Sequence, residues 1–261
     1  MEKKTFAVIG QDGRQQAAAR TLSDRGFRVC GEEGAPGADY ILLPMPLSME
    51  KGALCALFAA AKPGAVAFAG RVGNEAAEAA VHAGVELVDY LLREELAVLN
   101  AIPTCEGALE ILLRERPVTL WQSKVVITGF GRIAKLLALR LGALGAQVTV
   151  AARKPGDRAL ARALGLGAAD TAELAKLCAD ADILVNTVPQ RLITGQMIGK
   201  MHKHAFLLDL ASAPGGIDLS AAGARGLRSV WALSLPARSA PVTAGRFVAD
   251  TVCRMIEERG Q

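Results

Sequence analysis

The stretch Val125-Val126-Ile127-Thr128-Gly129-Phe130-Gly131-Arg132-Ile133-Ala134 runs from a short apolar strand through a glycine turn into the start of a helix. Each position answers a physical need. Gly129 permits a tight turn, Gly131 lets a pyrophosphate come up against backbone amides, and the small Ala134 lets the helix pack closely on the strand. A bare GxGxxG-type match is weak, because a glycine turn can simply pack well. The strand before it and the helix after it are the context that gives it meaning. The stretch predicts a dinucleotide-binding unit, with Gly129, Phe130, Gly131, Arg132 and Ile133 against the cofactor.

If that cofactor were NAD, the second strand should end in Asp or Glu, about twenty residues on, to meet the ribose hydroxyls. The sequence there is Val148-Thr149-Val150-Ala151-Ala152-Arg153-Lys154. The acid is missing and two cations follow. This favours NADP, with Arg153 and Lys154 on the 2′-phosphate and Arg158 a turn further on. NAD is the alternative, since exposed basic residues after a strand are common. Further along, Asp182-Ile183-Leu184-Val185-Asn186-Thr187-Val188-Pro189 reads as a strand stopped by a polar loop. Carboxyl ends of strands face the ligand crevice in doubly wound sheets. Asn186, Thr187, Val188 and Pro189 are therefore candidates for the nicotinamide-ribose side, as are Asp209 and Ser212 in Asp209-Leu210-Ala211-Ser212. Ordinary loop capping is an equal reading of any one of them.

Outward from this unit, short apolar runs alternate with amphipathic helices, the rhythm of a parallel α/β protein. Strands are predicted over 5–9, 40–43, 65–69 and 85–89, with helices over 14–25, 48–61 (Ser48 as N-cap) and 74–83. Two helical stretches, 94–99 and 104–116, meet at Pro103 and form the connection between two lobes. The second series places strands at 124–128, 148–151, 183–186 and 205–209, and helices at 132–144, 157–164, 172–178 and 194–201. A last helix is long enough to fold back onto the first lobe. The boundaries predicted are 1–100, completed by the helix 243–259, then an inter-lobe helix at 101–119, then 120–242.

The 261 residues are 51% apolar, which excludes disorder, and a net charge of +4 does not make a nucleic-acid binder. Charge is uneven: residues 1–100 carry net −3 and residues 101–261 net +7, so the second half suits an anionic ligand better. Five dispersed cysteines without CxxC spacing argue against zinc and against a disulfide framework. With only three histidines, no histidine-rich metal site is expected; His202 and His204 flank Lys203 on a turn and read as surface residues. The N-terminus has no secretory h-region, and the longest apolar run, 53–61, is too short to span a bilayer. A cytoplasmic protein with no membrane partner is expected. In the first lobe, Gly10-Gln11-Asp12-Gly13-Arg14-Gln15 is another strand-loop-helix junction, where helix amides with Arg14 could hold a carboxylate. Arg14 reads almost equally as a solvated helix residue.

Several segments together are more discriminating than any one motif. They include Leu42-Leu43-Pro44-Met45-Pro46, Asn100-Ala101-Ile102-Pro103-Thr104-Cys105-Glu106-Gly107, Leu208-Asp209-Leu210-Ala211-Ser212-Ala213-Pro214-Gly215-Gly216 and Ala240-Pro241-Val242-Thr243-Ala244-Gly245. In this order and spacing the whole chain resembles the dipicolinate synthase A-subunit family of endospore-forming bacteria. The resemblance implies two Rossmann-like doubly wound parallel-sheet lobes with an inter-lobe cleft. Residues 1–100 would then be the substrate and catalytic lobe, and 120–242 the NAD(P)-binding domain. It also implies a nicotinamide-dependent dehydrogenase that works in the mother cell of a sporulating bacterium with the dipicolinate synthase B-subunit, a flavoprotein-like partner. The substrate implied is the product of dihydrodipicolinate synthase, a small cyclic dicarboxylate. The chain departs from the family pattern at Ala69-Gly70-Arg71-Val72-Gly73 and at Leu235-Pro236-Ala237-Arg238, where Arg71 and Arg238 offer extra carboxylate partners.

Two carboxylates call for charge-assisted donors. Arg14 and Gln15 with the glycine loop serve one end, and Thr104, Arg71 or Arg238 the other. Loss of hydride makes the ring aromatic, so the protein mainly positions the reacting carbon and supplies a modest base. Glu106 and Asp209 are the candidates for that base. Two competing readings stand beside this one: a dehydrogenase of another small carboxylate, and a non-catalytic nicotinamide-binding scaffold for the flavoprotein. No tail or heptad marks an oligomer interface, and a homo-oligomer is left open.

Overall fold

The computed structural model describes residues 3–260. They divide into two units: residues up to Asn100 together with those from Pro236 onward, and Ala101–Leu235.

In the first unit, apolar runs of three or four residues alternate with helices rich in alanine. The elements are β1 (Thr5–Val8), α1 (Gly13–Asp24), β2 (Arg28–Cys30), β3 (Tyr40–Leu42), α2 (Lys51–Ala60), β4 (Val66–Ala69), α3 (Asn74–Ala83) and β5 (Glu86–Asp89). All pairs are parallel, in the order β2-β1-β3-β4-β5. The central strands β3 and β4 are buried throughout, as strands covered by helices on both faces must be. Asp12 caps α1, its carboxylate accepting from the amides of Arg14 (2.8 Å) and Gln15 (3.1 Å).

The long helix α4 (Glu94–Glu115) follows. Pro103 lies inside it, at the point where the sequence predicts two separate helices meeting. The missing amide costs one helical bond, but both flanking halves are anchored, Leu96 in one core and Cys105, Ala108 and Leu112 in another. Among the described helices, α4 is the one long and apolar enough to cross a membrane by length and composition, and half of its most apolar window is buried. The second unit continues with β6 (Lys124–Thr128), α5 (Arg132–Ala143), β7 (Gln147–Ala151), α6 (Pro155–Ala163), β8 (Gly167–Ala169), α7 (Leu174–Asp180) and β9 (Ile183–Asn186). It ends with α8 (Gly195–Ile198), β10 (Phe206–Asp209), α9 (Leu219–Ala224) and β11 (Arg228–Trp231). Its parallel sheet has the order β11-β10-β9-β6-β7-β8.

The edge strands β2, β8 and β11 escape a search for apolar runs because an edge needs less apolar surface; β11 is Arg-Ser-Val-Trp, with both ends exposed. Ser48 is not an N-cap. The helix starts at Lys51, and Glu50 stands at the cap without a capping bond.

After α10 (Leu235–Ser239), α11 (Pro241–Glu257) packs on α1. Val248, Ala249, Val252 and Ile256 join Phe6, Leu22 and Phe68 in one core. The two helices cross at Gly245, where a Cβ would overlap the Arg14 carbonyl oxygen and stand 2.8 Å from the Ala17 Cβ. Elsewhere in a helix, Gly→Ala is worth up to about 1 kcal/mol in its favour. Here overlap with backbone reverses the sign: Gly245→Ala is expected to destabilise by about 1–3 kcal/mol in urea unfolding. An unchanged or raised midpoint would show that the helices can move apart freely.

Candidate active site

The order of the second sheet reverses direction between β6 and β9, which makes their carboxyl ends the switch point where doubly wound sheets bind ligands. Gly129 follows β6 with φ +83°, and a Cβ there would lie 2.8 Å from Val188 Cγ2 and 3.0 Å from Thr187 Oγ1. Only glycine lets the two loops touch. Gly131, the N-cap of α5, supplies no capping side chain, and the first helical turn holds no acid. A Cβ on Gly131 would meet nothing within 4 Å. The start of α5, with Arg132 as its first residue, therefore presents backbone amides to open space, which suits the diphosphate of a dinucleotide.

Below that opening, the ends of β6, β9 and β10 are tied by buried polar groups. Thr128 Oγ1 donates to Asn186 Oδ1 (2.5 Å), and Asn186 Nδ2 donates to Asp209 Oδ1 (2.7 Å) and to the Val188 carbonyl (3.0 Å). The second acceptor site of Asn186 takes the Val188 amide (3.2 Å), so the whole side-chain amide is engaged. Asp209 accepts four bonds: Asn186 and the Ala211 amide (3.0 Å) on one oxygen, the Gly216 (2.7 Å) and Ile217 (3.0 Å) amides on the other. Gly216 has to be glycine, because a Cβ would overlap Asn186 Nδ2 and lie 2.7 Å from the Val188 carbonyl oxygen.

Asp209, expected as base and cofactor ligand, is held inward by this geometry. Its carboxylate is 1% exposed and filled by protein donors, so it fastens the Pro214-Gly215-Gly216 loop under the sheet edge. Thr187 also faces inward, its hydroxyl on the Thr128 carbonyl (2.7 Å). Pro189 and Ser212 stay exposed on the same loops.

Beside the switch point, Gly129, Phe130, Val188, Arg153 and Lys154 line a pocket of about 190 Å³. Arg153 and Lys154 are exposed at its mouth. Arg158 is not available there: Nη1 donates to the Ala152 (2.8 Å) and Arg153 (2.7 Å) carbonyls and pairs with Asp170 at 2.6 Å. It stiffens the loop that carries the two cations. Asp157, Thr171, Gln190 and Leu192 also line the pocket and escape a reading of the sequence. Asp157 alone leaves a signal, an acid in the first turn after the second strand.

In the first unit the switch point lies between β1 and β3. Arg14 reaches from one loop to the other: Nη2 donates to Asp12 Oδ2 (2.7 Å) and to the Met45 carbonyl. Burial pushes the Asp12 carboxyl up, but hydrogen bonds from Arg14 and the Gln15 amide, with the charge of Arg14, outweigh it and hold it below the ordinary carboxylate range. Gln15, expected to contact the substrate, is placed inside the fold. It is 3% exposed, and Nε2 donates to the Ile9 carbonyl (2.6 Å) and towards that of Leu42 (3.5 Å). Met45 and Tyr90 press on Gly70, where a Cβ would come within 2.8 Å of both. Arg71 follows in left-handed backbone, φ +62°, with its side chain exposed. The carboxylate of Asp89 holds it there, accepting the amides of Arg71 (3.2 Å), Val72 (2.8 Å) and Leu91 (2.8 Å). Arg14 and Arg71 thus share the carboxyl edge of one sheet. Arg238 is exposed on α10, while on α4 Thr104 is buried and Glu106 exposed.

Asp209→Asn separates the two roles. A structural clamp predicts destabilisation by about 1–3 kcal/mol, because donors lose an acceptor in the interior, together with weaker cofactor binding by titration. A catalytic base alone would lose turnover with its melting temperature unchanged.

Comparison with known proteins agrees with both halves of this geometry. Residues 110–215 match the family model of the D-isomer specific 2-hydroxyacid dehydrogenase NAD binding domain. The dipicolinate synthase A-subunit of Bacillus subtilis (strain 168) is 30% identical, with 97% of this chain and 96% of that protein covered. Among solved structures, the dipicolinate synthase A-subunit from Bacillus halodurans superposes with a TM-score of 0.88 at 26% identity, covering 97% of each chain. A transhydrogenase from Sinorhizobium meliloti has a TM-score of 0.80 at 19% identity over 98% of this chain and 93% of that one, a likeness of fold. With a full-length relative at 30% identity and a glycine-turn crevice built for a nicotinamide dinucleotide, the chain belongs to the dipicolinate synthase A-subunit family and is an NAD(P)-dependent oxidoreductase.

Proposed function

We propose that the chain oxidises the product of dihydrodipicolinate synthase, as dihydrodipicolinate or its hydroxylated tetrahydro precursor, to pyridine-2,6-dicarboxylate, with NADP as the cofactor. The observation that carries this reading is the match over both units to a dipicolinate synthase A-subunit; a shared dinucleotide-binding half would leave the substrate open.

When bound, the nicotinamide supplies the acceptor for a hydride from the ring carbon. The chain supplies the rest. Arg153 and Lys154 hold the 2′-phosphate, and Gly129, Gly131 and the amides opening α5 hold the diphosphate. Arg14, fixed by Asp12 and the Met45 carbonyl, keeps its remaining guanidinium donors for one substrate carboxylate. Arg71, Arg238 and Thr104 are the candidates for the other. Glu106 takes the proton released with the hydride, since the oxygens of Asp209 are occupied. From the hydroxylated form, the same base assists loss of water first. Membership of an A-subunit family implies a partner, which we assign as the flavoprotein-like B-subunit, in the cytoplasm of a sporulating mother cell.

The test feeds pyruvate and aspartate semialdehyde through dihydrodipicolinate synthase to the purified chain with NADP, with and without the B-subunit, and follows dipicolinate by its ultraviolet absorbance. Product that requires this chain is expected. Its absence in both arms, with NADP still bound, would leave another carboxylate dehydrogenase or a scaffold, and a screen of 2-oxo and 2-hydroxy acids would separate those. Replacing Arg153 and Lys154 together by alanine should raise the KM for NADP at least ~10-fold and leave that for NAD nearly unchanged, since two charge-assisted contacts are removed. Equal effects on both cofactors would overturn the assignment of the 2′-phosphate.

A further inference from the structure

The two histidines and the lysine of His202-Lys203-His204 are given no part in the oxidation proposed above. They lie at the opposite edge of the second sheet, where β9, β10 and β11 begin. A pocket of about 580 Å³ opens there, between the end of α4 and those strand starts. Its exposed apolar side chains are Pro117 and Val118, with the buried Ala205 and Phe206 behind them, and its cations are Arg116, Lys203 and Arg228, with His204 beside them.

The ion pairing is uneven. Arg228 pairs with Glu115 at 3.5 Å and also donates to the Glu115 carbonyl. Asp182, the other acid in the pocket, accepts the Lys124 amide at 2.7 Å and stands 3.5 Å from His202 Nε2. Both carboxylates therefore already have partners. Arg116 is half-buried and, among the described residues, has one hydrogen bond, to the hydroxyl of Ser123 (3.3 Å), which itself donates to the Thr119 carbonyl. Burial pulls the Arg116 pKa down, against the more distant charge of Asp182. Lys203 is exposed at the rim without an ion pair among the described residues. A guanidinium partly withdrawn from water, hydrogen-bonded among the described residues to a neutral hydroxyl and meeting the Asp182 charge without an ion-pair contact, leaves most of its donor fork for an anion. A pocket with apolar walls and a few convergent charges is the usual form of a small-molecule site.

We propose that this pocket is a second ligand site, separate from the dinucleotide crevice, that takes a small aromatic carboxylate. Arg116 and Lys203 hold the carboxylate, and the exposed Pro117 and Val118 cover the ring. The proposal stands on the pocket alone and does not depend on the substrate assigned above.

The test titrates the whole chain calorimetrically with benzene-1,3-dicarboxylate, in the presence of saturating NADP, with sulfate as a competitor. Arg116→Met and Lys203→Met keep the aliphatic stems, and their melting temperatures report whether the fold is intact. Binding that weakens at least ~10-fold in Arg116→Met, and measurably in Lys203→Met, is expected from the loss of charge-assisted bonds. The variant Arg14→Met, in the first unit, accounts for any binding at the substrate site and should leave the Arg116-dependent binding unchanged. No binding, or binding indifferent to Arg116, would overturn the site. Sulfate binding as tightly as the aromatic acid would overturn the ligand class.

Discussion

The buried carboxylate of Asp209 is the constraint around which the second unit is arranged. A charge taken out of water must be met by donors, and here four are converged on it from β9 and from the loop after β10. Meeting that demand sets the rest. Asn186 is drawn under the loop, Thr128 is drawn to Asn186, and Thr187 turns back to β6. The strand ends are locked before any ligand arrives, so the glycine turn and the start of α5 sit on a fixed floor. Preorganisation of this kind lets backbone amides receive a diphosphate with little rearrangement.

The first unit solves a parallel problem with different residues. Arg14, with Asp12, and Gln15 tie together the loops after β1 and β3, and Asp89 holds the loop after β4 to the end of β5. Polar side chains at both switch points thus divide into two populations. One faces inward and shapes the loops, and the other, with Arg153, Lys154 and Arg71, stays exposed and free to meet a ligand.

That division marks what could be read in the sequence. Buried central strands show as apolar runs, and the glycine turn shows through its spacing, because both are local requirements. Whether Asp209 faces a ligand or a loop amide depends on where Gly216 and Ile217 return in space, which no local pattern encodes. Gln15 is the same case, since a glutamine at the start of a helix looks solvated until the carbonyl ends of β1 and β3 are placed beside it. Pro103 misleads in the other direction. It is a local breaker, overruled by anchoring on both sides. The pocket partners Asp157, Thr171, Gln190 and Leu192 come from the start of α6, the turn after β8 and the loop after β9, and only the sheet order brings them together.

The packing of α11 on α1 bears on the order in which the chain is made. Residues Ala101–Leu235 form one uninterrupted unit, whereas the other unit needs its final helix to cover Phe6, Leu22 and Phe68. On a ribosome, the segment before residue 101 therefore waits for the segment after residue 235. The dinucleotide-binding unit, although second in the sequence, is the first that can close its core, and the strands of the first unit stay short of one covering helix until α11 has been made.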